Sequence, residues 1–273
     1  MRGVLAMALG TQFAGARLDV GQYLALWRRL GFAARPTVLH VLDHGRTYAE
    51  RDALDAAAWR RLADQGLLDA RGEPDPGLAD TLGVLARPAR ELDVVVQVEG
   101  RAARATLAAA RGALGVIARL DDQGLLLETT DPQDLAGALL ARLPDVRPAP
   151  GVSVALPADA LFGPGLTLDE RSRRLRRAWV PPHHVDRLRA LWARTPDRAM
   201  TFGVTARDAD GAPRRGPRTL TVLDTAAGRV AWGLDATARD VLAQPLDRPR
   251  LRAELTALLD GHVHDVAGRR GPA

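Results

Sequence analysis

LGVLARPARELDVVVQVEG, Leu82 to Gly100, decides the fold, because a helix end, a proline turn and the clearest strand of the chain follow one another there. Arg87-Pro88 closes the helical pattern, since the residue before a proline is pushed out of the α region. Leu92, Val94, Val96 and Val98 then alternate with Asp93, Val95, Gln97 and Glu99, the period-two pattern of a half-buried strand. Its second face is polar except for Val95.

Toward the N-terminus, Leu24, Leu26, Trp27 and Leu30 ahead of Gly31 predict a short amphipathic helix ended by its glycine. Pro36 opens PTVLHVL, which reads as a buried strand with His40 as a core histidine, and Asp43-His44 as the turn after it. Thr47 to Glu50 is a capping box; Leu54, Ala58 and Leu62 form the stripe of the next helix, which Gly66 ends. Asp75-Pro76 starts a third, with Leu78, Leu82 and Leu85 inward. After the central strand, Arg101 to Ala109, Ala113 to Leu120 and Leu125 to Thr130 are separated by turn residues and read as an antiparallel meander. Asp131-Pro132 begins a helix whose Leu135, Leu139 and Leu143 share one face.

PDVRPAPG, Pro144 to Gly151, reads as a linker. Beyond it the order recurs. A strand covers Val152 to Leu156. Helical material follows from Pro157 to Arg194, broken at Gly163-Pro-Gly165 and Pro181-Pro182. A second meander comprises Met200 to Arg207, Arg218 to Leu223 and Arg229 to Leu234, and a closing helix over Asp247 to Leu259 echoes Asp131 to Leu143. The expectation is an α+β fold, one domain over 1–273 made of two pseudo-symmetric halves, 18–143 and 151–259, each an antiparallel sheet with helices. A linker at 144–150 joins them, and a disordered tail covers 263–273.

With 273 residues and 47% hydrophobic content the chain can bury a sizeable core. Its 38 basic residues are all arginine and face 33 acids, leaving +5. That balance describes a solvated mixed-charge surface. An arginine-rich, nucleic-acid-associated regulator is the alternative, but 4% aromatics provide no stripe for base stacking. The absence of cysteine excludes disulfides, thiolate metal sites and a cysteine nucleophile. There is no Gly-rich phosphate loop, no paired zinc ligands and no nucleophile elbow around Ser153 or Ser172, and without lysine no Schiff base. His183-His184 reads as a helix start with two exposed rings pointing apart. No apolar run approaches the ~20 residues that span a bilayer. The start of the chain, MRGVLAMALGTQFAGA, only faintly imitates a signal peptide, since Thr11 and Gln12 cut its apolar run. The expectation is a non-enzymatic binding protein with no cofactor and no metal.

Leu26-Trp27 to Gly31, Pro36, the run Arg87-Pro88-x-Arg90-Glu91-Leu92-Asp93 and Asp224-Thr-x-x-Gly228-Arg229 resemble the EspG family, cytosolic chaperones of the type VII (ESX) secretion systems of actinobacteria. The resemblance runs from about Leu18 to Leu259. It implies two pseudo-symmetric halves, a cytoplasmic location and binding to the apolar tip of a PE–PPE heterodimer, or of WxG-type relatives, kept soluble and export-competent. It also implies a transient contact with the ESX machinery, and neither nucleic acid nor membrane insertion. The family docks its partner on the central sheet and the C-terminal helices.

Two regions are therefore the candidate docking surface. On the sheet, Val95 and Ile117 are the apolar outliers: either helices of the other half cover both, or they are exposed as a small apolar patch rimmed by Gln97 and Arg119, with Arg104 on the adjoining strand. On the helices, Arg173, Arg176, Arg177 and Trp179 lie in and after the basic run Arg171 to Arg177, behind the capping box Thr167 to Glu170.

Overall fold

The computed structural model describes residues 13–151, 153–161, 165–193, 195–234 and 239–268. The chain first forms β1 (Gly15–Leu18), α1 (Val20–Arg29), α2 (Tyr48–Asp64), α3 (Pro76–Ala86), β2 (Arg90–Gln97), β3 (Arg104–Arg111), β4 (Leu114–Asp121), β5 (Gly124–Thr130) and α4 (Leu135–Leu140). It continues through β6 (Val154–Pro157), α5 (Ala158–Leu161), α6 (Leu168–Arg177), α7 (Pro182–Trp192), β7 (Arg198–Arg207), β8 (Pro213–Arg215), β9 (Leu220–Thr225), β10 (Gly228–Leu234), β11 (Asp240–Pro245) and α8 (Arg248–Gly268).

The expected α+β class holds. The two meanders, however, are parts of one sheet, in the order β1-β5-β4-β3-β2-β7-β9-β10-β11-β6, with β8 attached to β7. What joins them is the antiparallel pair β2–β7, in register from Arg90↔Ala206 to Gln97↔Ala199. Outward from that pair come β3, β4, β5 and β1 on one side and β9, β10, β11 and β6 on the other. Chain order and sheet order thus mirror each other about the centre.

Register sorts the side chains onto two faces. Leu92 stands opposite Ala108 and Val204, and Ala108 opposite Ile117; on the reverse face Asp93 stands opposite Leu107 and Gly203. The Leu92 face is covered by α4 and α8, whose Leu139, Leu251 and Leu255 pack with Leu92, Phe202 and Val204. The reverse face carries two helical groups. Trp27, Leu82 and Leu85 of α1 and α3 pack on Leu107, Val116 and Leu127, while Leu175, Val185 and Leu188 of α6 and α7 pack with Leu156 and Val241. Each such side chain, fully buried, is worth roughly 1.5–3 kcal/mol, so these layers rather than helix propensity hold the helices in place.

The predicted helix boundaries have visible causes. Asp19 and Gln22 form a reciprocal capping box on α1, each side chain accepting the other's backbone N–H at 2.8 Å. Gly31, at φ 65°, closes it. Thr47 accepts Glu50 N–H at 3.1 Å and Asp75 accepts Leu78 N–H at 3.0 Å.

Two expectations are corrected. Pro36 to Leu42 is not a strand: a single 3₁₀ turn covers Thr37–Leu39, only Leu39 enters the core, and His40 is exposed. The turn lies over β3 and β2, and Arg35 closes the segment by donating to Val41 O (3.2 Å) and pairing with Asp43 (3.2 Å). Second, Val263–Gly268 is not a disordered tail but the end of α8. Leu255, Leu259, His262 and Val266 keep one face inward, and His262 Nε2 donates to Arg214 O at 2.8 Å. The linker 144–150 is laid along β10: Arg229 N–H donates to Arg147 O (2.8 Å) and Ala149 N–H to Arg229 O (3.0 Å). The short strands β1, β8 and β11 were not expected. The N-terminal residues compared with a signal peptide lie mostly outside the described residues.

Candidate docking surface

The sheet part of the expected surface divides between two faces. Val95 pairs with Ala105 and Thr201, and Gln97 with Ala199, which places both on the Asp93 face. Arg104 pairs with Val96, Arg119 with Thr106 and Ile117 with Ala108, which places these three on the Leu92 face. Ile117 is only 2% exposed, so it belongs to the interior and not to a patch. Val95 is half-buried, and Gln97 and Arg104 are exposed at the loop end of the β2–β3 hairpin. Arg119 is tied back to Asp121 at 3.3 Å. The expected apolar pair therefore does not form; helices cover both sheet faces, and alternation within one strand carries no information about that.

The helical part is assembled. α6 begins at Thr167, which accepts Glu170 N–H at 3.2 Å. Its arginines are mostly engaged: Arg174 with Glu170 (3.7 Å), Arg176 with Asp186 of α7 (3.2 Å), and Arg171 over the Trp192 ring at 5.7 Å. Asp169 receives Arg189 of α7 at 2.6 Å. Arg173 and Arg177 are exposed, and no ion pair among the described residues involves either.

At the C-terminus of α6 the chain closes a Schellman turn: Val180 N–H donates to Leu175 O and Trp179 N–H to Arg176 O, both at 3.1 Å, with Val180 and Leu175 buried. That turn needs a left-handed residue, and the position is filled by Trp179 at φ 62°, the one non-glycine with positive φ among the described residues. An L-residue there costs roughly 1–2 kcal/mol. Its indole is 92% exposed, the most exposed large apolar side chain among the described residues. Burial cannot be what holds it there. The sequence signal was indirect: Pro181-Pro182 force the helix to end, yet no glycine occupies the turn before them.

Two features beside this turn were not foreseen. The rings of His183 and His184 do not point apart but meet at 4.1 Å between centroids, and burial, His183 and Arg187 together hold the His184 ring below the ordinary histidine pKa. Behind them α7 roofs a largely apolar cavity of about 380 Å³, lined by Leu188, Leu191, Val154, Val230 and Ala243, with the linker residues Ala149 and Pro150 in its wall. It draws on α7, four strands and the linker, so sequence proximity could not announce it. Among the described residues no group of three or more His, Cys, Asp or Glu side chains is placed to hold a metal ion. No helix among them is long and apolar enough to cross a membrane.

Residues 19–257 match the family model described as the EspG family. The chain belongs to the EspG family. A relative, the ESX-1 secretion-associated protein EspG1 of Mycobacterium tuberculosis, is 31% identical over 144 residues, a stretch covering 50% of this chain and 49% of that protein. The match thus spans about half the relative's length. Among solved structures, the M. tuberculosis type VII secretion system chaperone EspG5, in complex with a PE25–PPE41 dimer, matches with a TM-score of 0.71 at 16% identity, over 90% of this chain and 96% of the other. At that identity the likeness speaks for the fold. Two of the runs that carried the resemblance have visible structural work: Asp93 receives Arg215, and Asp224 receives Arg229.

Proposed function

We propose that this protein is a cytoplasmic, non-catalytic chaperone that binds a PE–PPE heterodimer and keeps it soluble for export by a type VII secretion system. Family membership supports the reading, as does the fold shared with a chaperone solved bound to such a dimer. The observation that carries it is Trp179. A strained backbone that presents a bare indole is kept only where the indole is used, and tryptophan is the side chain most enriched where interface energy concentrates. We place the docking element at the α6–α7 turn, with Trp179 as anchor and Arg173 and Arg177 as its polar border. Arg176 braces the turn through Asp186. Gln97 and Arg104, at the loop end of the β2–β3 hairpin, are the second contact, with half-buried Val95 beside them; Ile117 lies in the interior and Arg119 is held by Asp121, so neither adds a contact of its own. The mirrored strand order further supports descent of 18–143 and 151–259 from one duplicated unit.

The test is co-expression with a PE–PPE pair and measurement of binding for Trp179→Gly. Glycine relieves the left-handed strain, so the variant keeps its fold and gains roughly 0–1 kcal/mol, whereas loss of an anchor weakens binding by about 30-fold or more. Undiminished binding by Trp179→Gly would place the partner elsewhere. Failure of the unmutated chain to bind any PE–PPE pair would end the proposal.

A further inference from the structure

A second cavity, of about 730 Å³, lies at the start of β2, away from the β2–β3 loop, between the segment 33–38, the end of α3, β7 and β8. Its charges are unbalanced. Arg35, Arg87, Arg207 and Arg215 line it together with Glu91 and Asp93. Asp93, only 1% exposed, is consumed by Arg215, which grips both its carboxylate oxygens. Arg35 is paired outside the cavity with Asp43, yet its Nε is buried and has no hydrogen-bond partner. Arg207 gives three of its five N–H donors to main-chain oxygens, Pro88 O at 2.9 Å, Ala86 O at 3.2 Å and Gly211 O, and no ion pair among the described residues involves it. Arg87 is exposed at the end of α3, and no ion pair among the described residues involves it.

Glu91 is the one acid left to answer these cations. Its side chain bonds to Thr205, and burial raises its carboxyl above the ordinary value, with Asp93 adding to the rise and Arg215 and Arg207 opposing it. The remaining wall is apolar: Pro36, Pro88 and Pro213 with Val38 and Leu85. A cleft of several hundred Å³ that is mostly apolar, with a few converging polar groups, has the make-up of a small-molecule site. The cations are preset as well, since Arg207 and Arg215 are already held in place by the fold and lose little freedom on binding.

We propose that this cavity binds a small organic anion, an apolar body carrying one carboxylate or phosphate head, with the head received by Arg87 and Arg207 and the body laid against the proline wall. The site is separate from the docking turn and does not depend on the chaperone reading. An unesterified inorganic anion would satisfy the arginines but leave the wall uncovered.

The test is titration calorimetry with thermal unfolding on the full chain, using phenyl phosphate, octanoate and inorganic phosphate as probes. At least one organic anion is expected to bind one per chain and raise Tm, with inorganic phosphate weaker by about tenfold or more. The tighter of the two organic probes identifies the head. Arg87→Gln should weaken that binding by about tenfold or more, the loss of one charge-assisted hydrogen bond, with the unliganded Tm unchanged because its side chain is solvent-facing. Three results would overturn the proposal: no binding of either organic anion at millimolar concentration, inorganic phosphate binding as tightly, or an Arg87→Gln variant that binds like the parent. PE–PPE binding, measured in the same variant, should be unaffected.

Discussion

Asp224→Ala should be among the most damaging single changes in this chain, although Asp224 touches neither the docking turn nor the arginine-lined cavity. Its carboxylate accepts from Arg229 Nε at 2.7 Å, Arg229 Nη2 at 3.1 Å and Arg198 Nη1 at 2.9 Å. The two arginines are unequal. Arg198 is about a quarter exposed and can turn to water, but Arg229 has no exposed surface and would keep only Pro144 O at 3.1 Å. Its Nη1 already lacks a partner. Removing one member of a buried pair leaves an uncompensated charge and costs about 3–5 kcal/mol, against a total stability of roughly 5–15 kcal/mol for a typical domain. Urea unfolding followed by far-UV dichroism measures it. The double variant Asp224→Leu with Arg229→Met removes both charges and should recover most of the loss, since an apolar replacement of a buried pair is often neutral. A cost below about 1 kcal/mol for Asp224→Ala, or a double variant no better than the single, would refute the account of Arg229 as a charge held only by Asp224.

Glu91→Gln should raise Tm at neutral pH. A carboxyl raised by burial stabilises the fold only while protonated, a contribution present below its unfolded value of 4.5 and lost as pH climbs through the higher folded value, so the gap between parent and variant should open above pH 4.5 and vanish below it. Ile117→Asp should cost roughly 3 kcal/mol or more by placing a charge in the interior, while Val95→Asp should stay within about 1 kcal/mol; urea midpoints of the two separate an inner from a half-exposed position. Gly228→Ala should lose at least about 1 kcal/mol in the same assay, because φ is 127° there and a Cβ would lie 2.7 Å from Ala149 N and 2.8 Å from Arg147 O.

Most of the architecture could be read from local pattern. The strands flanking Gly100, Gly112 and Gly124 turn where glycine permits positive φ, so the first meander was legible, and Asp75-Pro76 and Thr167 marked helix starts by cap chemistry alone. PTVLHVL failed because its apolar residues are equally served by a 3₁₀ turn that buries Leu39 and packs Val38 and Val41 against the core without joining a sheet. The α8 extension failed because glycine and histidine at Gly261, His262 and His264 look like fraying, whereas the His262 bond to Arg214 O lies 48 positions away in the chain.

The docking surface was harder to read for a reason tied to the sheet itself. With α4 and α8 on one face and the α1–α3 and α5–α7 groups on the other, an apolar residue such as Ile117 on the minority face of its strand has a second cover waiting, and a polar one such as Asp93 can be inside because Arg215 reaches it from β8. Outlier logic presumes one wet face, and this sheet has few wet positions at its centre. The proposed docking elements lie at the border of the layers: the loop end of the β2–β3 hairpin at Gln97 and Arg104 and the turn at Trp179. There the informative signal is conformational, a tryptophan where the Schellman turn favours glycine, and φ appears in no composition or periodicity. An exposed side chain held against its own backbone preference is therefore a stronger pointer to function in this fold than any pattern of apolar residues along a strand.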